Sequence, residues 1–309
     1  MLTFIALCLL SRIAYTFNDV LVGELARELD GLEVATYRGL SLGVTMAPLL
    51  LGVAPGAWQA LAARPAELAM LVVVTAVANV LHLEAARHLP FGLRAAILVA
   101  GIALGGIALG AWFLGERFSL AELAWCALVV SSGALAALGD HSTQDLTANV
   151  PKGALLTIGT STLLSVAALR FARLARATDP LLVGWAWEFG IGVVLVLPLL
   201  WRSRGHWEPG VARRFLRTSL RSLPTVVGTG ATSVALTLGP LGLWSALAGA
   251  QALVSAALGA LWHRENVGPK RWALFGLGAL GIAGLAWSRH EPAQPVVGRL
   301  ACSAIGNCR

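Results

Sequence analysis

Apolar residues along the chain gather into ten runs, which short polar or charged segments separate. A helix that crosses a bilayer core needs ~20 consecutive apolar residues, and most of the runs are close to that length. The pattern therefore predicts ten transmembrane helices. They cover approximately residues 2–22, 33–53, 67–85, 94–114, 120–138, 153–173, 181–201, 223–239, 243–262 and 272–288.

The composition supports a membrane protein. Hydrophobic residues make up 57% of the 309 residues and charged residues 13%, whereas soluble domains carry ~25% charged residues. The net charge of +7 comes mostly from arginines in short loops, where they act as orientation signals and contact lipid headgroups rather than nucleic acid. We expect a multi-pass protein of the inner (plasma) membrane that contacts lipids and binds no nucleic acid.

Sequence motifs of several other protein classes are absent. The sequence has no P-loop, no hydrolase signature and no acidic cluster spaced for a metal. We therefore predict no enzyme activity, no cofactor, no metal site and no direct use of ATP. The cysteines fit no zinc or redox spacing, so we expect free thiols at Cys8, Cys126, Cys302 and Cys308.

A weak internal repeat has an offset of about 150 residues. The sequence PFGLRA at 90–95 recurs as PLGLWSA from residue 240, and Glu116 recurs as Glu265. Arg38 in the second predicted helix matches Glu188 in the seventh. Weak similarity between two halves of a membrane protein is typical of secondary transporters.

The repeat divides the chain into two units of five helices. The first covers residues 1–139, a polar linker follows at 140–152, the second covers 153–289, and we expect the tail 290–309 to be mobile. Because each unit has an odd number of helices, the second enters the membrane upside-down relative to the first. The predicted fold is an all-α integral membrane protein with ten transmembrane helices in two inverted five-helix repeats.

Each half ends in a segment that resembles the end of an EamA domain. The two segments are GERFSLAELAWCALVVSSGALAAL at 115–138 and HRENVGPKRWALFGLGALGIAGLAW at 263–287. Two such domains make a ten-helix member of the drug/metabolite transporter superfamily. The resemblance implies a secondary transporter that exports small organic molecules. We interpret Glu116 and Glu265 as structural hinge residues that hydrogen-bond loop amides.

Polar residues inside the first and sixth predicted helices are candidates for a central site. Ionisable groups at membrane depth cost roughly 2.5–3.5 kcal/mol on insertion scales, and they persist where they pair or line a cavity. Arg12, Tyr15 and Asp19 share one face of the first helix, and the matching part of the sixth carries five hydroxyl residues, Ser161 among them. Either these stretches face each other across a cavity, or the hydroxyls bond their own helix carbonyls and Arg12 extends towards the membrane surface.

Arg38 and Glu188 carry opposite charges at matching positions of the two halves. If the halves pack about a pseudo-twofold axis, the two side chains meet near the midplane. They would then form an ion pair, or Arg38 would hold a substrate carboxylate while Glu188 holds an amine or a proton. The resemblance adds to this interpretation, since an arginine in the second helix is common in EamA domains. The alternative is that both side chains lie near helix ends and reach the headgroups.

Four more residues are candidates for substrate contacts. Asn79 and His82 lie on one face of the third helix, where His82 would couple transport to protons. Gln251 is an isolated polar side chain in the ninth helix, next to a position that EamA domains often fill with proline. Trp187 would stack on an aromatic or cationic ligand, or would anchor its helix at the membrane interface.

The segment 202–221 carries six arginines. Its second part, 209–221, is predicted to be a basic amphipathic helix in the membrane interface, with a solvated loop as the alternative. Basic residues, Arg94 among them, are more frequent in the odd-numbered loops, which favours termini outside the cell. The family resemblance implies termini inside, so the orientation stays open, as does the oligomeric state.

These features together predict a secondary transporter of small organic metabolites. The expected cargo is an amino acid or a related compound, moved outward by alternating access, with a proton or ion as a possible coupling partner. The alternatives are a flippase for a lipid-linked substrate and an integral-membrane lipid enzyme. The expected substrate contacts are Arg12, Tyr15, Asp19, Arg38, Asn79, His82, Ser161, Trp187, Glu188 and Gln251.

Overall fold

The computed structural model describes residues 1–89, 91–138, 150–203, 210–262 and 268–288. Over these residues the chain forms thirteen α-helices and one 3₁₀ helix and contains no β-strand. The helices are α1 (Leu2–Glu28), α2 (Gly31–Thr45), the 3₁₀ helix (Ala47–Gly52), α3 (Pro55–Ala62), α4 (Pro65–Ala85), α5 (Phe91–Leu114), α6 (Leu120–Leu138), α7 (Val150–Ala177), α8 (Pro180–Ser203), α9 (Val211–Arg221), α10 (Leu223–Leu238), α11 (Leu241–Ala246), α12 (Ala248–Trp262) and α13 (Pro269–Ser288).

Several helices have the length and composition of membrane spans. Five are long and apolar enough to cross a bilayer, namely Leu2–Val22, Pro65–Ala85, Leu93–Leu114, Val150–Ala177 and Pro180–Ser203. Four shorter apolar helices accompany them, at Leu120–Ala136, Leu223–Leu238, Leu241–Val254 and Trp272–Ser288. The predicted all-α, multi-pass membrane class is therefore confirmed. The linker between residues 139 and 149, Glu265 and the tail lie outside the described residues.

Two predicted spans are interrupted in the structure. The second, expected at 33–53, ends as an α-helix at Thr45 and continues as the 3₁₀ helix. Pro48 follows closely and has no N–H to donate, which accounts for the end of the α-helix. The ninth, expected at 243–262, is divided at Leu247 into α11 and α12. These interruptions account for two of the predicted spans that do not meet the length requirement.

The most extensive helix packing joins the two halves of the chain. Helix α2 packs against α8, α4 against α7, α1 against α10, and α6 against α12 and α13. At the α2–α8 contact, a methyl group on Gly39 would lie 2.6 Å from the Cα of Gly192. Small residues allow such close backbone approach between membrane helices. The contact brings the residue before Gly39, Arg38, within reach of α8.

Candidate functional site

Arg38 and Glu188 form an ion pair between α2 and α8. The Arg38 Nη2 atom lies 3.1 Å from Glu188 Oε1, and the two side chains are 10% and 1% exposed. The predicted proximity of these residues is therefore confirmed, and both side chains are buried within the protein. Because the charges are removed from water, the pair must be held by good geometry and by further hydrogen bonds.

Two neighbouring helices supply those hydrogen bonds, and a third is connected through one of them. The Arg38 Nη1 atom donates to Asn79 Oδ1 on α4 at 3.0 Å. On α10, the Thr229 hydroxyl donates to Glu188 Oε1 at 2.8 Å and lies 3.0 Å from the hydroxyl of Tyr15 on α1. The ion pair is thus the centre of a network that links five helices from both halves of the chain.

A cavity of about 160 Å³ lies beside this network. Its size is comparable with an engineered apolar cavity of roughly 150 Å³ that holds benzene. The wall combines apolar and aromatic side chains with the polar groups of the network. It is lined by Arg12, Tyr15, Asn18, Asp19, Val22, Arg38, Thr75, Ala78, Asn79, His82, Leu83, Arg94, Leu98, Ile102, Leu164, Ala167, Ala168, Phe171, Trp187, Glu188, Thr232, Leu236, Trp244 and Gln251.

The first helix contributes a second group of polar contacts to the cavity. The guanidinium of Arg12 donates to the carbonyl oxygen of Trp244 at 3.1 Å, and its Cζ lies 4.2 Å from the centre of the Trp244 ring. About two helical turns further along α1, Asp19 Oδ2 accepts a hydrogen bond of 2.9 Å from Gln251 Nε2 on α12. Because α1 packs against α12, the broken ninth span and α1 form one side of the cavity.

Nine of the ten predicted contact residues line the cavity, and Ser161 does not. They are Arg12, Tyr15, Asp19, Arg38, Asn79, His82, Trp187, Glu188 and Gln251. The Ser161 hydroxyl instead donates to the Ile158 carbonyl of its own helix at 2.9 Å. The other four hydroxyls of this stretch also bond carbonyls of α7, as the alternative interpretation of the sequence stated.

Unpartnered buried polar atoms are concentrated around the cavity. Among the described residues, six such atoms belong to lining side chains: Arg12 Nε, Arg38 Nε, His82 Nδ1, Trp187 Nε1, Glu188 Oε2 and Trp244 Nε1. A buried donor or acceptor without a partner costs ~1–3 kcal/mol, so native structures contain few of them. Their concentration at one site is the chemical feature expected where a polar ligand binds.

Sequence reasoning missed or misplaced several of the site residues. Arg94 was interpreted as a loop residue, but it is buried in α5, lines the cavity and donates to the His82 carbonyl oxygen at 3.2 Å. The excess of basic residues in the odd-numbered loops, which favoured termini outside the cell, is therefore smaller by one. Thr229 was also missed. It lies on one face of α10 with Thr225 and Thr232, and this helical spacing of hydroxyl groups was a signal in the sequence.

Glu116 joins the end of the first half to the start of the broken ninth span. Its carboxylate accepts hydrogen bonds from the backbone N–H groups of Leu241 at 2.6 Å and Gly242 at 2.9 Å, and it lies 3.7 Å from Arg176 Nη2. The residue before it, Gly115, has a φ of +66°, which a residue with a side chain adopts only at a cost. Glu116 therefore makes the hydrogen bonds to backbone amides that the sequence analysis expected, while its role as a hinge stays a prediction.

The arginine-rich segment forms a helix whose polar side is held by the protein. In α9, the Arg214 Nε atom lies 2.8 Å from Glu33 Oε1, and the Arg217 Nη2 atom lies 3.0 Å from Glu28 Oε2. Leu216 and Leu220 point outward and are 58% and 59% exposed. The part of the segment that the structure describes is therefore an amphipathic helix and not a loop.

The cysteines and carboxylates provide little basis for a metal site in the described ranges. Cys8 and Cys126 are buried and form no disulfide within the described residues, and Cys302 and Cys308 lie outside them. No group of three or more His, Cys, Asp or Glu side chains is placed to hold a metal ion within the described part of the chain.

Comparison with known proteins places these features in a family. The model of the EamA-like transporter family matches residues 151–287. Among curated proteins, none matches the chain. One solved crystal structure is similar over 93% of this chain and 99% of its own, with a TM-score of 0.72 and 14% sequence identity; at that identity the likeness concerns the fold alone. The family match over the second half of the chain confirms the resemblance, drawn from the sequence, to EamA-domain transporters of the drug/metabolite transporter superfamily.

Proposed function

We propose that the protein is a secondary transporter that moves a small organic metabolite across the inner (plasma) membrane by alternating access. The cargo is an amino acid or a related compound, and the direction is outward. The observation that carries the proposal is the buried Arg38–Glu188 pair, which joins the two halves at the wall of a cavity of about 160 Å³. In transporters with internal repeats, the substrate binds near the midplane at such an interface.

Helix packing supports ten spans in two inverted repeats, 1–139 and 153–289. The offset of the sequence repeat relates helices of the first half to helices of the second half. It relates α1 to α7, α2 to α8, α4 to α10, and α5 to α11 together with α12. The α1–α10 contact then becomes the α7–α4 contact, and the α5–α7 contact becomes the α12–α1 contact. The α2–α8 contact becomes itself, as expected of helices beside a twofold axis. The family match over residues 151–287 lies within the second unit, apart from two residues.

The ion pair provides a physical basis for coupling substrate binding to rocking of the halves. A buried pair is stable only while both partners stay together, because separating them leaves two uncompensated charges. A cargo that offers its own charge or hydrogen bonds to one partner lowers that cost. The halves then move about α2 and α8 when the cargo is bound. A proton or ion that binds at this site in place of the cargo would provide the coupling.

A ligand screen on the purified protein tests this function. Amino acids, polyamines, nucleosides and lipid headgroup analogues are compared by thermal shift on wild type, Arg38→Gln and Glu188→Gln. A ligand that binds the folded state raises the melting temperature by mass action. We expect stabilisation by one soluble class, lost in both variants, and counterflow of a labelled member of that class in liposomes.

Other outcomes of the screen distinguish the alternatives. Stabilisation by anionic lipids together with no response to any soluble class would favour the flippase. Turnover of a lipid with release of a new product would favour a lipid enzyme. Counterflow that is unchanged in both variants would contradict the role of the ion pair while leaving a transporter.

A further inference from the structure

We infer that Arg12 binds an anionic group of the cargo, and that the cargo is a small molecule with one carboxylate and a compact apolar body. This inference rests on the proposed transport function and specifies the chemistry of its site. It assigns the anionic group to α1 and to the broken ninth span, and not to the Arg38–Glu188 pair.

The charges of the cavity wall do not balance. Its described lining residues include three guanidinium groups, on Arg12, Arg38 and Arg94, and two carboxylates, on Asp19 and Glu188. Among these five groups, one positive charge is in excess. Since an isolated charge is poorly tolerated away from water, a single negative charge on the cargo would complete the site.

Arg12 has no carboxylate partner among the described residues. It is 4% exposed, and no carboxylate oxygen among the described residues lies within 4 Å of its nitrogen atoms. Its Nη2 atom donates to a neutral carbonyl, that of Trp244, and its Nε atom has no partner. A carboxylate bound there would receive charge-assisted hydrogen bonds, which are roughly twice as strong as neutral ones.

Arg38 is less suited to the same task. Its Nη1 and Nη2 atoms are already bonded to Asn79 and Glu188. A carboxylate arriving at Arg38 would have to displace that of Glu188 or share the guanidinium with it, and like charges at short distance repel. The Arg38–Glu188 pair is therefore better suited to the neutral or hydrogen-bond-donating part of the cargo, for which Glu188 Oε2 is an unpartnered acceptor.

Arg12 is held in place before any ligand binds. The Trp244 ring lies against the guanidinium at 4.2 Å, and its carbonyl oxygen accepts from the same group. Trp244 belongs to α11, the short helix whose first two N–H groups are bound by Glu116. A preorganised cation loses less entropy on binding than a mobile one, which raises affinity for its anion.

The size and apolar wall of the cavity select the rest of the cargo. Phe171, Trp187, Leu98, Ile102 and Leu164 supply an apolar surface beside the charged groups. A volume of about 160 Å³ accommodates a branched aliphatic chain or a single small ring. 4-Methylpentanoate, the deaminated analogue of leucine, has this combination of a single negative charge and a compact apolar body. Leucine has the same body and carboxylate and carries an ammonium group in addition.

Three probes of similar shape test the inference on the full-length protein in detergent. They are leucine, its deaminated analogue 4-methylpentanoate and its decarboxylated analogue 3-methylbutylamine. Dissociation constants are measured by calorimetry on wild type. We expect both carboxylates to bind and the amine to bind at least about 10-fold more weakly. An amine that binds as tightly as 4-methylpentanoate would overturn the inference, and so would the absence of binding by all three probes.

Variants of Arg12 separate binding from folding. In Arg12→Gln we expect the affinity for 4-methylpentanoate to fall about 10-fold to 100-fold, with partial recovery in Arg12→Lys. The matched control is Arg202→Gln, which removes a positive charge at a side chain that is 62% exposed and outside the cavity lining. Unchanged affinity in a folded Arg12→Gln would overturn the inference. If Arg12→Gln does not fold, the inference is tested by the affinities of the three probes for wild type and for Arg12→Lys.

Failure of the inference and failure of the proposed function give different results. Counterflow of 3-methylbutylamine in liposomes, without counterflow of either carboxylate, would contradict the role of Arg12 and still show a transporter. If neither these probes nor any soluble class in the ligand screen shows counterflow, the proposed transport function itself would be contradicted.

Discussion

Arg38 Nη2 and Glu188 Oε1 are 3.1 Å apart although the two residues are separated by 150 positions in the sequence. That separation equals the offset of the internal repeat. The pair therefore joins equivalent positions of the two halves, with a base in one half and an acid in the other. A symmetric repeat with the same residue at both positions would place like charges together, so the difference in sequence is what makes the contact stable.

Neutralising one partner of this pair is expected to destabilise the protein more than neutralising both. Arg38→Gln leaves Glu188 as an uncompensated buried charge, and loss of one partner of a buried pair typically costs ~3–5 kcal/mol. In the double variant with Glu188→Gln no such charge remains. Melting temperatures of the two single variants and the double variant measure the coupling.

The double variant also separates stability from transport. We expect it to regain most of the lost melting temperature and to remain inactive in counterflow. A double variant that is less stable than both single variants, or one that transports normally, would contradict this account of the pair.

Gly39→Ala is expected to separate α2 from α8. The added methyl group would lie 2.6 Å from the Cα of Gly192 and 3.0 Å from the carbonyl oxygen of Glu188. Overpacking of this kind costs ~1–3 kcal/mol. The matched control is Gly56→Ala in α3, where nothing lies within 4 Å of the added group. Comparable melting temperatures for the two variants would show that the helices do not depend on this close approach.

Glu116→Ala is expected to lower the melting temperature and to loosen the broken ninth span. The carboxylate binds two N–H groups at the start of α11, and hydrogen bonds to charged groups contribute ~1.5–3 kcal/mol. Glu67→Ala serves as the control because the Arg64–Glu67 pair is exposed and such pairs contribute ~0–1 kcal/mol. Since α11 carries Trp244, Glu116→Ala should also weaken binding of 4-methylpentanoate.

The outward leucines of α9 are expected to contact the bilayer. Spin labels at Leu216 and at Leu220 are compared in liposomes, in a background where the four native cysteines are replaced by serine. An interfacial helix gives labels at both positions that collide with oxygen rather than with a water-soluble relaxant. A label at Leu216 that is accessible only to the water-soluble relaxant would indicate a solvated helix instead.

The site shows where sequence reasoning succeeds and where it fails. Arg12, Arg38 and Glu188 were identifiable because ionisable residues in apolar runs are costly and require a partner or a cavity. The sequence did not distinguish Ser161 from these residues. A hydroxyl group can donate a hydrogen bond to a carbonyl oxygen of its own helix, and it then needs no cavity. Arg94 was misassigned because it lies at the first turn of α5, where a sequence pattern does not define the helix boundary to better than a few residues.

The sequence by itself determined the class of the protein. Runs of ~20 apolar residues require a bilayer, and hinge segments in both halves identified the family. Only the tertiary structure decided which polar residues share a cavity and which are satisfied within their own helices. The physical reason is that hydrophobic length is a property of one helix, whereas the Arg38–Glu188 pair and the unpaired charge of Arg12 depend on helices that are distant in sequence. Their approach is set by packing details such as the contact of Gly39 with Gly192.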